Sequence, residues 1–312
     1  VDRRRTRAGA LILLASAAAG AAGAAALTDF PLREARWTAP AALPRSLSWA
    51  PPECLRKARS PAEARAVAIG RVAFRTPLLL GGQAARAGMS CATCHVNGRG
   101  NPAFLFPGLS AAPGTADVTA SLMSSHRGDG IFNPKPIPDL AGPADRLKIS
   151  RTAPGALEAF IHGLITEEFD GPEPPADVLA GLAAYVRALD PAACRGGAKP
   201  ARLAERLAEV EAAVALARGT DGETRRLLLA AARSTLGAVD ERFALPDLAR
   251  DRRLLREADA DLAAIRLGTA GFQRWSAAWP ARKRRLLGDE PRSLYARATV
   301  EKAFLASRSN RN

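Results

Sequence analysis

Cys91, Cys94 and His95 are the residues of this chain whose types and spacing carry the most definite chemistry. In the run Cys91-Ala92-Thr93-Cys94-His95, two thiols stand one helical turn apart and an imidazole follows at once. Thiols so placed can each form a thioether with a vinyl group of one porphyrin, while the adjacent imidazole turns under the ring to ligate iron. The run therefore reads as the attachment signature of a c-type haem, with Cys91 and Cys94 binding the cofactor and His95 as proximal iron ligand. A redox dithiol or a zinc half-site would use the same spacing, but zinc wants a second ligand pair that the sequence does not offer. The two thioether sulfurs leave an even pair, Cys54 and Cys194, on either side of the expected haem domain. A disulfide between them is expected, the alternative being two unrelated thiols.

The compartment expected from the N-terminal residues agrees with that chemistry. Arg3, Arg4, Arg5 and Arg7 precede an apolar run that ends in the small residues Ala24-Ala25-Ala26. Residues 1–26 read as a secretory signal, long enough to stay as an inner-membrane anchor if it is not cleaved. The expected location is periplasmic. A net charge of +14 favours a partner with an acidic docking surface. Nucleic acid is set aside, because the chain reads as exported, is only 5% aromatic and shows no recognition motif.

Several elements must position the motif. Residues 27–60 are punctuated by Pro31, Pro40, Pro44, Pro51 and Pro52 and read as an extended arm. Ser60-Pro61-Ala62-Glu63 is a capping box with proline at the first helical position, opening a helix to about Phe74. Residues 97–155, rich in Gly, Pro, Asn and Asp, read as a functional loop that would wrap the ring. Helices are expected over about 157–168 and from near Pro175, where Val178, Leu182, Tyr185, Val186 and Leu189 share a face. The haem domain is thus expected over residues 61–195. From residue 200 to 312 the pattern is helical only, with turns expected at 219–222, 243–246 and 268–271. The spacing by four of Trp275 and Trp279 reads as packing, and Arg282-Lys283-Arg284-Arg285 as a solvated helix face.

Residues 70–190 resemble the bacterial di-haem cytochrome c peroxidase superfamily, which includes the methylamine-utilisation di-haem enzymes. The resemblance rests on Gly70-Arg71, Phe74, Pro77 and Leu79 leading into Gly88-Met89-Ser90 and the haem motif. Ile137-Pro138-Asp139-Leu140, Thr152-Ala153-Pro154, the segment Leu157–Gly163 and Glu168-Phe169-Asp170-Gly171-Pro172 continue it. It implies a cytochrome c-like haem domain; with the helical pattern after residue 200, the fold class expected is all-α, that domain followed by a C-terminal helical bundle. Family enzymes carry two haems, whereas this chain has one such motif. By the family's interval to the Pro-x-Leu segment, His126 is the first choice for the distal iron ligand. Met123, one turn away, is the runner-up, and Arg127 and Asp129 would steady this loop. Met89 reads as packing and His162 as structural.

The function expected is that of a monohaem cytochrome passing single electrons to or from a redox protein. An occupied sixth position closes iron to substrate; an open one would make a peroxidase-like oxidoreductase, and a haem-containing interaction subunit is the third reading.

Overall fold

The computed structural model describes residues 30–119, 122–126, 128–143, 147–265 and 269–309 of the 312-residue chain. The expected signal segment, Arg127 and the turn position Gly268 lie outside the described residues. The described chain is mostly helical, with 61% helix against 4% strand. Among the described residues no helix is long and apolar enough to cross a membrane.

The proline-rich arm differs from the extended segment its composition suggested. Short 3-10 turns at Arg33–Trp37 and Pro40–Ala42 lead into α1 (Leu43–Ser48) and β1 (Trp49–Ala50). Pro40 and Pro44 fall in first helical turns, where a fixed φ starts a helix instead of breaking one. Phe30, Leu32, Leu43 and Leu47 are thereby buried against Leu294 and Val300 near the other end of the chain.

Next come α2 (Pro61–Phe74), α3 (Gly82–Ala87) and the single turn α4 (Cys91–Cys94). Ser60 Oγ accepts from the Glu63 amide at 3.1 Å, as its cap position requires. The Glu63 carboxylate, however, accepts from the Arg59 amide at 2.6 Å, one residue before the position a reciprocal box would use. In the long loop, β2 (Thr115–Ala116) pairs antiparallel with β3 (Lys135–Pro136). The chain re-enters helix at α5 (Ala156–Gly163), which continues as a π-helical turn over Leu164–Glu168, and then α6 (Ala176–Ala188). Helices α2 and α6 cross where Gly70 meets Gly181, and a methyl group on Gly70 would overlap the Gly181 carbonyl. That approach brings Ile69, Phe74, Leu182 and Tyr185 into one buried core with Leu79, Leu157 and Ile165.

After β4 (Lys199–Pro200) come five helices: α7 (Leu203–Arg218), α8 (Gly222–Arg242), α9 (Ala249–Ala264), α10 (Thr269–Asp289) and α11 (Arg297–Ser309). Leu207, Val210, Leu236, Leu255 and Leu262 share a core with Trp275 and Trp279. The two indoles stack with centroids 4.9 Å apart, so their spacing serves packing. The basic tract is used between helices: Arg282 pairs with Asp261 at 2.6 Å, Lys283 with Glu211 at 2.8 Å and Arg285 with Asp251 at 3.1 Å. Arg284 and Arg285 are exposed, as a solvated face requires, whereas Arg282 and Lys283 are held between helices.

Two features tie the halves together. Strands β1 and β4 pair antiparallel, Trp49 opposite Pro200 and Ala50 opposite Lys199. A buried ionic spine centres on Arg75, whose side chain is 9% exposed. Its Nη2 donates to Glu53 Oε1 at 2.9 Å and to Asn97 Oδ1 at 2.9 Å, while its Nε lies 3.2 Å from Glu209 Oε1 on α7. Tyr185 Oη donates to the same Glu53 oxygen at 2.8 Å. Burial works to raise the Glu53 pKa, but Arg75 and Arg71 outweigh it and hold the carboxyl below its ordinary value. Replacing Arg75 by Leu removes the more buried of the two cations these carboxylates share, leaving Arg71 with Glu53 and Arg206 with Glu209, and a loss of about 1.5–3 kcal/mol in urea unfolding is expected. A wild-type midpoint in Arg75→Leu would show that the spine does not hold the halves.

Candidate functional site

Gly88, in the left-handed region at φ +77°, ends α3 and turns the chain toward the motif. Ser90 then starts α4, its amide donating to Thr93 Oγ1 at 3.0 Å while its own hydroxyl caps the turn. One turn of helix puts Cys91 and Cys94 on one side. Both pack at the cluster formed by Trp37, Met89, Phe104, Leu109 and Met123, and Cys91 also touches the core around Phe74 and Tyr185. The two sulfurs are not bonded to each other. Burial pushes each thiol up to about 12, chiefly by desolvation of the charged form.

His95 follows with its ring 6.4 Å from Phe74, centroid to centroid. Its Nδ1–H donates to the Pro138 carbonyl at 3.1 Å, which fixes the tautomer and leaves the Nε2 lone pair available to a metal. Burial pushes the imidazole down to about 4, so it is neutral, the form that ligates, across the physiological range. Pro138 is itself held. The Leu140 amide donates to Gly98 O at 3.0 Å, and Arg99 Nε reaches both Asp139 oxygens at 2.8 and 2.7 Å. Arg99 Nη1 also lies 3.3 Å from Cys54 Sγ and 3.1 Å from Cys194 Sγ. Those two cysteines stand at disulfide distance, with Cα atoms 4.4 Å apart across 140 residues of sequence. A bond closing a loop of that length stabilises by about 4–5 kcal/mol in the chain-entropy account. A continuous path of contacts therefore runs from the paired sulfurs through Arg99 and Asp139 to the carbonyl on His95.

The two distal candidates sit in different surroundings. Met123 is 2% exposed and belongs to the cluster that holds Cys91 and Cys94. The His126 side chain is 65% exposed, with Nε2 3.8 Å from Asp170 Oδ1. Met89 is buried in the Met123 cluster as a packing residue, and His162 pairs with Glu173 at 2.8 Å on the surface. Asp170 adopts φ +55° and draws its carboxylate over the Met123 loop, accepting from the Ser125 amide at 2.8 Å and from Ser125 Oγ at 2.9 Å. Asp129 Oδ1 accepts from the Ile131 amide at 2.8 Å, a local turn within the same loop.

Three contributors escaped the sequence reading of the site: the Pro138 carbonyl, Arg99 and Asp170. A backbone carbonyl has no residue-type signature, and Arg99 is one of many arginines. Asp170 stood only within a motif match, without a role. Among the described residues no group of three or more His, Cys, Asp or Glu could hold a metal ion. His95 could thus keep iron only where a macrocycle supplies the other donors, and Cys91 and Cys94 are the groups that would tether one. Compared with protein-family models, curated proteins and solved structures, the chain matches none.

The Ser125 amide, the leading contributor, holds the Asp170 carboxyl below its ordinary value of 3.8. A group with a depressed folded-state pKa contributes its stability above the unfolded value and loses it as pH falls through the folded one. The protection factor of the Ser125 amide, relative to its intrinsic exchange rate at each pH, is therefore expected to hold above pH 3.8 and to fall only in more acid solution. Asp170→Asn should exchange fast throughout; equal protection in wild type and variant would refute the clamp.

Proposed function

We propose that the chain is a monohaem c-type cytochrome that carries single electrons in the periplasm. The observation that carries this reading is the neutral His95 imidazole, oriented by the Pro138 carbonyl beside two unpaired, half-buried thiols one helical turn apart. When bound, the haem supplies one-electron iron chemistry. Cys91 and Cys94 would tether it, and His95 would ligate the iron through the free Nε2. The Pro138 hydrogen bond raises the basicity of that ligand and fixes its ring orientation. On this reading residues 61–195 are a cytochrome c-like domain, a single-haem relative of the di-haem peroxidase superfamily, and residues 200–312 an appended helical bundle.

Met123 is the better candidate for the sixth ligand than His126, because it is buried beside Cys91 and Cys94 while His126 faces solvent. A thioether there raises the reduction potential and closes the metal to substrate, which favours a carrier over a peroxidase-like enzyme. The exposed Leu122, Ile131 and Phe132 on the same loop would meet a redox partner. The basic balance of the chain suits an acidic one.

Protein matured in a haem-attaching host should give a pyridine haemochrome spectrum and a mass one haem above the polypeptide. A colourless product of bare polypeptide mass would overturn the assignment. Met123→Ala should convert a low-spin ferric spectrum to one that binds cyanide and should lower the midpoint potential. His126→Ala should change neither; the reverse pattern would return the sixth position to His126.

A further inference from the structure

One cleft of the molecule opens on the face of the motif turn away from Cys91 and Cys94. It has a volume of about 790 Å³ and lies between the N-terminal arm, the outer face of α4 and helix α8. From α4 it takes Ala92 and Thr93, the two residues on the side opposite Cys91 and Cys94. From α8 it takes only small side chains in its middle, Ser234, Thr235 and Ala238, and Ala238 is exposed although it sits mid-helix. The size falls in the range of pockets that enclose a small molecule.

The lining is amphipathic in a definite sense. Trp37, Pro51, Pro77, Pro102 and Val96 make an apolar wall, while six arginines stand against three carboxylates, Glu34, Asp139 and Glu241. Those carboxylates are already taken: Glu241 by Arg33, Glu34 by Arg242 at 2.8 Å and Asp139 by Arg99 at 2.6 Å. Arg75 and Arg206 are engaged with Glu209. Arg45, on α1, has no ion-pair partner among the described residues and opens onto the cleft mouth. The site thus carries surplus positive charge over an apolar wall.

We infer that this cleft binds a small organic anion, a carboxylate or sulfonate on an apolar body, with Arg45 facing the charge and the Trp37 wall taking the body. The inference stands on protein groups alone and does not depend on haem being present. A guanidinium provides a fork for a planar or tetrahedral oxyanion. A ligand here would lie one helix thickness, roughly 10 Å, from Cys91 and Cys94.

The test is calorimetric titration of the full-length protein with 8-anilinonaphthalene-1-sulfonate and, separately, with dodecanoate. One saturable site is expected. Arg45→Glu should weaken it at least tenfold, and Ala238→Trp, which fills the middle of the cleft from an exposed helix position, should abolish it. Both variants should melt with the wild type, so loss of binding reports the site and not the fold. No saturable binding of either probe, or affinities unchanged in both variants, overturns the inference. Full competition by inorganic phosphate alone also overturns it, because a bare anion would then be the ligand and the apolar wall irrelevant.

Discussion

Arg75 is the side chain on which the arrangement turns. It is the last-turn neighbour of α2, yet its guanidinium reaches Glu53 from the arm, Asn97 from the loop after His95 and Glu209 from the C-terminal helices. Burying a cation is tolerable only when carboxylates and hydrogen-bond acceptors surround it, and here three separate segments supply them. Asn97 completes the link by donating to Pro51 O at 2.8 Å and by taking φ +53°, a conformation open to asparagine more than to most residues. The Cys91–His95 segment is thereby registered against the rest of the molecule from behind, while Pro138 registers it from the other side.

Local order and remote closure cooperate at the motif. A one-turn helix is too short to hold itself, so α4 depends on its cap at Ser90 and on the packing of its cysteines. The imidazole depends in turn on a carbonyl some forty residues away, and that carbonyl on Arg99 and Asp139. The π-helical turn at Leu164–Glu168 has a place in the same logic. It carries the chain from α5 to Asp170, whose carboxylate fixes the loop holding Met123.

Periodicity and punctuation made much of the fold legible. Ser60-Pro61 opened α2 where expected, and the helical stripes after Pro200 became α7 to α10 because each has an apolar face that must be covered. The motif residues were readable because their spacing has few uses. What stayed hidden depends on tertiary partners. Nothing local says that Pro40 and Pro44 begin helical turns, since that follows from burying Leu43 and Leu47 against Leu294 and Val300. Nor could spacing rank Met123 against His126, because the difference is one of burial. The tract at 282–285 was legible only in part for a similar reason: Arg284 and Arg285 are exposed, but the counter-charges of Arg282 and Lys283, Asp261 and Glu211, sit on other helices.

The pairing of β1 with β4 gives the molecule a property of a tied parcel. Residues 30–50 lie with the final helices, although the chain then runs through the whole motif-bearing half before returning at Lys199. Gly196 and Gly197 have open space around them, so the linker is the place where a protease would gain access. A nick there would sever the backbone beyond Cys194, yet the two fragments would remain knotted through the buried arm and the Arg75–Glu209 contact. Such a cleaved molecule would travel as one particle until denaturant released its pieces.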